Sequence, residues 1–287
     1  MADIYGPGPY IIKFVLHATV SWVKTPDLMR KFGYKGNANC PLCRGHCTTH
    51  HIISNCSWAL KGKRYTWRHD SVLLYLQPVL QQLIDEAAAS STKQSIVPIQ
   101  ASFVKAGSTT KVPKRTSRRQ TLLDGATDWR LLVEIGEKIV FPPEILATPL
   151  RPDIIIWSKK EKRVILIELT VPAEEGIFAA QIRKEARYFA LRTAIKKTTS
   201  WSCTLLTIEV GARGFVARTL PRCLKKLGLK PRKTSRVCKD LSDLVSRCTY
   251  AIYLARESKA WDKDRPLLTI DDASKAPRQP DIDVPKE

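Results

Sequence analysis

Residues 151–170 read Arg151-Pro152-Asp153-Ile154-Ile155-Ile156-Trp157, a polar turn from Ser158 to Lys162, then Arg163-Val164-Ile165-Leu166-Ile167-Glu168-Leu169-Thr170. Two apolar runs joined by a short polar turn predict a buried β-hairpin. Asp153 opens the first strand and Glu168 closes the second. Antiparallel pairing sets the start of one strand beside the end of the next, so both carboxylates meet at one end of the hairpin. Two close carboxylates repel unless a cation lies between them. A hard divalent cation with oxygen ligands, Mg2+ or Mn2+, suits the place. Phosphodiester cleavage uses such a cation to activate a water and to steady the leaving oxygen.

Outward from the hairpin, Glu174 to Lys197 carries Ala, Ile, Phe and Leu at helical spacing. Lys184 and Tyr188 are four apart and share a face of that helix. An ammonium near the acids could orient a water or stabilise charge developing on phosphorus. Before the hairpin, Asp128 to Val140 predicts a helix ended by Pro142-Pro143, with Glu134 on it. After the hairpin's helix, Cys203 to Val210 predicts a further apolar strand, and Gly211 and Gly214 allow a turn around Arg213. Arg213 could contact nucleic acid or cap a strand end. Arg218 to Lys239 holds nine basic residues and no acid, and its leucines make it a basic amphipathic helix and loop. A last helix is expected from Asp240 to about Arg256, and 257–287 reads as a polar, disordered tail.

The 287 residues suffice for a mid-sized domain and a smaller module. Lys plus Arg number 48 against 27 acids, a net charge of +21, which points to a polyanionic partner. No apolar run reaches the length of a membrane span, so nucleic acid is favoured over a bilayer. No N-terminal stretch has the form of a secretory signal.

Four of the eight cysteines cluster, and Cys40-x2-Cys43-x7-His51-x4-Cys56 has the ligand types and spacing of a tetrahedral zinc site. A segment this small has too little apolar surface to fold alone, and a metal supplies the missing stability. By spacing, His46, His50 and His51 are all in reach, and Cys47 is a spare thiol. Arg64-Tyr65-Thr66-Trp67-Arg68-His69-Asp70 follows. Its arginines and aromatics suit stacking on bases and pairing with phosphates, although Tyr65 and Trp67 could equally cover the zinc module. A helix is expected from Asp70 to Ala89. Residues 90–120 read as a basic linker. Its densest part, with Arg115, Arg118 and Arg119, suits phosphate neutralisation, nuclear localisation or simple solvation.

Arg-Pro-Asp, then Glu168-Leu-Thr-Val-Pro, an acid at Glu174, then Arg183-Lys184 and Tyr188 resemble the restriction-like endonuclease domain of non-LTR retrotransposon proteins. That domain is a branch of the PD-(D/E)XK nucleases. The knuckle, the Arg-Tyr-x-Trp-Arg-His-Asp run and Glu209-Val-Gly-x-Arg-Gly-Phe resemble the same proteins, so the likeness spans roughly residues 11–261. It implies an α/β restriction-endonuclease-like core of mixed sheet flanked by helices (121–256), after a CCHC knuckle and its helix (40–89). Residues 1–39 resemble the helical segment that follows the family's polymerase. Thr170 stands where other PD-(D/E)XK enzymes carry lysine, and Lys184 takes that role from the helix, as in this branch.

The resemblance implies Asp153 and Glu168 as metal ligands, Lys184 as base or charge stabiliser and Tyr188 in support. It selects His51 as the zinc-binding histidine. Nucleases of this fold often take a further acid from the first helix, which makes Glu134 the candidate. The implied partner is DNA, or the element's RNA, with contacts expected from Arg64, Trp67, Arg68, Arg115, Arg118, Arg119, Arg151, Arg187, Arg213, Lys225 and Lys226. Nuclear DNA nicking is the expected activity, with any reverse transcriptase on another chain; Asp271-Asp272 lies in the polar tail. The alternative is a non-catalytic zinc-dependent nucleic-acid-binding protein.

Overall fold

The computed structural model describes residues 8–94 and 121–261. Four strands form one sheet in the order β1 (Arg130–Val133), β2 (Ile154–Ser158), β3 (Arg163–Thr170) and β4 (Ser202–Glu209). β1–β2 and β2–β3 are antiparallel, and β3–β4 is parallel. The hairpin predicted around residues 158–162 is therefore present, with Ile154 opposite Ile167. The parallel pair requires a crossover, which α5 (Ile177–Thr198) supplies.

Strand alternation divides the apolar residues between two faces. Ile154, Ile156, Ile165 and Ile167 pack against α4 (Arg64–Gln94), α6 (Thr219–Lys226) and α7 (Pro231–Leu254). Ile155, Trp157, Val164 and Leu166 pack against Tyr188, Leu191 and Ile195 of α5. Covering on both faces explains why β2 and β3 read as continuous apolar runs rather than as alternating ones.

Residues 128–140 do not form the expected helix. Arg130–Val133 instead pairs with Ile154–Trp157, and Gly136 turns the chain at φ +73. The edge of β2 would otherwise lie open, and its backbone groups outweigh the weak helical spacing of Leu132, Val133 and Ile139. α4 starts at Arg64 rather than Asp70, and α7 starts at Pro231 rather than Asp240. Proline suits the first turn of α7 because no intrahelical partner exists there for its missing N–H. Near the N-terminus, α1 (Pro9–Thr19) lies against α7, the Thr25 side chain caps α2 (Pro26–Lys31), and α3 (Ser57–Lys61) precedes α4.

The early start of α4 changes the reading of its arginines. Arg64 donates to the carbonyls of Ala255 and Ser258, both at 2.6 Å. Arg68 donates to Ile53 O (3.0 Å), Val171 O (3.0 Å) and Thr249 Oγ1 (2.9 Å). Both side chains are buried, and burial lowers Arg68 to about 10. Trp67 meets Trp261 edge to face at 5.3 Å. Arg64 and Arg68, expected as nucleic-acid contacts, are thus buried and join chain segments. Arg115, Arg118 and Arg119 lie outside the described residues.

Arg68→Ala leaves the buried Ile53 carbonyl and the partly buried Val171 carbonyl without their arginine donor. Chemical denaturation should register a loss of about 3 kcal/mol. Exposed Arg187→Ala should change stability by no more than about 0.5 kcal/mol.

Candidate metal and acid centres

The register places Asp153 and Glu168 on the sheet face that α5 covers, because they share parity with Ile155 and Leu166. Glu168 is fully buried, and the Asp153 side chain is 13% exposed. Lys184 reaches in from α5. Its Nζ donates to Glu168 Oε2 and lies 3.7 Å from Asp153 Oδ2. The acids also grip the backbone: the Asp153 amide donates to Glu168 Oε1 (3.3 Å), and the Leu169 amide donates to Asp153 Oδ2 (2.7 Å). Tyr188, one turn after Lys184, donates to the Arg151 carbonyl at 2.7 Å and so ties α5 to the strand carrying Asp153.

His69 is a residue that the sequence reading did not single out. It sits on α4, 84 positions before Asp153, and its Nε2 lies 3.5 Å from Asp153 Oδ2. Its Nδ1 lies 3.1 Å from Asp70 Oδ1. Nothing local in the sequence links His69 to the hairpin; its place within Arg-His-Asp was the only signal. Asp153 Oδ2 thus has three donors or cations around it, whereas among the described residues none bonds Oδ1.

This geometry separates the two acids electrostatically. Burial would raise Asp153, but the His69 hydrogen bond and charge, with Lys184, hold it below its ordinary value. Burial, and then the charge of Asp153, push Glu168 up to about 7 against the pull of Lys184. Burial opposes charge on His69, yet Asp153 and Asp70 outweigh it and raise His69 to about 9. Divergent acid pKa values of this kind recur where one group must stay ionised and another must exchange a proton.

Other expected residues take different places. Glu134 follows β1 instead of sitting on a helix; its amide donates to Asp153 O (2.8 Å), and its carboxylate pairs with Arg151 at 3.4 Å. Glu134 and Arg151 therefore border the acids. Arg187 is exposed over the Tyr188 ring, and Lys225 and Lys226 are exposed on α6. Arg213 is not a free surface cation: it pairs with Glu174 (2.7 Å) and Glu175 (2.5 Å), and its side chain is largely covered.

The second centre is the Cys/His cluster. One ligand atom from each of Cys40, Cys43, His51 and Cys56 lies within 4.8 Å of the others. Cys40 and Cys56 sulfurs are 3.9 Å apart, and Cys43 Sγ is 3.2 Å from His51 Nε2. Zn–S bonds of about 2.3 Å at tetrahedral angles place sulfurs about 3.8 Å apart, so the set could hold zinc. His46 pairs instead with Asp27 (2.9 Å), and His50 faces Glu175 (4.0 Å). Burial pushes Cys47, outside the set, up to about 12. Burial also lowers His51, favouring the neutral imidazole that ligates metal.

No protein-family model and no curated protein matches this chain. Its centres therefore rest on their own geometry. Among the described residues no helix is long and apolar enough to cross a membrane.

The Cys/His cluster links to the acids through α4. Tyr65 Oη accepts from the Cys56 amide (3.1 Å) and donates to Ile52 O (2.8 Å). Arg68 holds Ile53, and His69 comes next.

Native mass spectrometry should find one zinc per chain, lost in Cys40→Ser, and a chelator should lower the thermal midpoint. A folded protein of unchanged midpoint without zinc would refute the assignment. For the acids, the folded chain without added divalent cation holds an extra proton on Glu168 between its ordinary 4.5 and about 7. It holds one on His69 between 6.5 and about 9. Both contributions are complete below those windows, so stability falls as pH rises through each. Denaturation against pH should show this fall, and His69→Gln should flatten it in the upper window.

Proposed function

We propose that this protein is a metal-dependent DNA endonuclease whose sheet is a restriction-endonuclease-like core, related to the endonuclease of non-LTR retrotransposons and acting in the nucleus. The observation that carries the reading is the convergence of Asp153, Glu168 and Lys184 from three elements at one end of the sheet. The order and spacing of these residues resemble the pattern of that nuclease branch, and the net charge of +21 suits a polyanionic substrate.

The donor set fits Mg2+ or Mn2+. Asp153 would bind through Oδ1, the oxygen without a donor among the described residues, and Glu168 through its carboxylate, since hard cations take oxygen ligands. A divalent cation there supplies Lewis-acid activation of water and charge neutralisation at phosphate. Asp153 stays ionised beside His69 and Lys184. Lys184, ion-paired with both acids, would orient the attacking water and stabilise charge on the phosphate oxygens. Tyr188 acts as a clamp, holding Arg151 and hence the start of β2 against α5.

A supercoiled plasmid incubated with the purified protein and Mg2+ should be nicked. Asp153→Ala should reduce nicking to background, and Lys184→Ala should slow it on the order of 100- to 1,000-fold while DNA affinity is retained. Absence of nicking by the wild-type protein, or nicking that survives Asp153→Ala, would overturn the proposal.

A further inference from the structure

From Arg218 to Lys239 the chain carries nine basic residues and no acid. Along α6 and its N-cap residue the charges recur at Arg218, Arg222, Lys225 and Lys226, the spacing of a single helical face. All four are exposed, while Leu220, Cys223 and Leu224 turn into the core. Lys230 and Arg232 continue the exposed charge into α7. Two cations further on have partners: Lys233 lies 3.1 Å from Glu86, and Arg236 lies 3.9 Å from Asp240. Among the described residues, Arg222, Lys225, Lys226, Lys230 and Arg232 make no ion pair. Of the acids near that end of the sheet, Glu161 pairs with Arg163, and Asp124, which accepts hydrogen bonds from Thr121, is a single carboxylate against five cations.

The position of this cluster separates it from the acid centre. The Leu122 amide donates to Lys226 O (2.9 Å), and Arg163 donates to Leu122 O (2.9 Å). The end of α6 therefore lies at the Arg163 end of β3. Glu168 is five residues along that strand, about 17 Å away at the usual strand rise. The two sites also lie on opposite faces: α6 packs with Ile165 and Ile167, and the acids lie under α5.

We infer that the corner formed by Arg222, Lys225, Lys226, Lys230 and Arg232 is a second nucleic-acid surface, gripping phosphates at a distance from the acid centre. Like charges brought together without counter-charges repel one another, and a phosphate backbone relieves that repulsion while releasing its own condensed counterions. The alternative polyanion, an anionic bilayer, is disfavoured because the corner offers nothing apolar to insert: Leu220, Leu224, Leu227 and Leu229 are all buried. The contacts involve phosphate alone, so binding here is indifferent to base sequence. The inference needs no cleavage by the acid centre.

The test is binding of a short blunt DNA duplex by fluorescence anisotropy over a range of NaCl, with no divalent cation added. The wild type is compared with a variant combining Lys225→Gln, Lys226→Gln, Lys230→Gln and Arg232→Gln. All four positions are exposed, so circular dichroism and the thermal midpoint should be unchanged. Affinity at physiological salt should fall on the order of 10- to 100-fold, and the slope of log affinity against log salt should shrink by about 0.9 for each lost phosphate contact. An unchanged affinity and slope would overturn the inference. So would a variant that keeps DNA binding but loses binding to phosphatidylserine vesicles, or a wild type that binds no duplex. A wild type that binds through this corner yet never nicks plasmid sustains the inference while removing the nuclease proposal.

Discussion

The Lys184 ammonium between Asp153 and Glu168 is the interaction on which the arrangement turns. A fully buried carboxylate facing a second acid is unstable as an anion pair, and Glu168 responds with a proton affinity far above an ordinary glutamate. One cation from α5 offsets that repulsion, provided that α5 lies on the face towards which the acids point. Strand parity and the parallel β3–β4 crossover meet that condition together. The same helix presents Tyr188, Leu191 and Ile195 to the sheet, so the packing that stabilises the fold also delivers the charge.

α4 joins the two centres physically. Its first turns hold the Cys/His segment through Tyr65 and Arg68, and the next residue approaches Asp153. Its later turns bury Val72, Leu73, Leu76 and Leu80 in the same cluster as the sheet.

The arginines show how burial reassigns chemistry. Arg64, Arg68 and Arg213 look in sequence like surface cations of a polyanion-binding protein. Each instead satisfies carbonyls or carboxylates between distant segments. A guanidinium has five donors in a rigid fork, so it can tie several acceptors together where a lysine would hold one. Among the described residues, Arg222, Lys225, Lys226, Lys230 and Arg232 on α6 and at the start of α7 make no ion pair, and they lie on the other side of the sheet from the acids.

Features governed by local period were legible in the sequence. The β2–β3 hairpin, the facing of Asp153 and Glu168, the helix bearing Lys184, and the clustering of Cys40, Cys43, His51 and Cys56 all rest on short spacings, and the structure contains each of them. Features set by distant partners were not. Residues 130–133 became a strand because β2 had an open edge. Arg64 turned inward because the segment after α7 brought the Ala255 and Ser258 carbonyls to it, and Arg68 because the Ile53 and Val171 carbonyls and the Thr249 hydroxyl met there. His69 reached Asp153 across 84 positions because α4 packs over the sheet end. A sequence records the periodicity that builds an element, but the backbone groups and charges that element must satisfy are known only once its neighbours are in place.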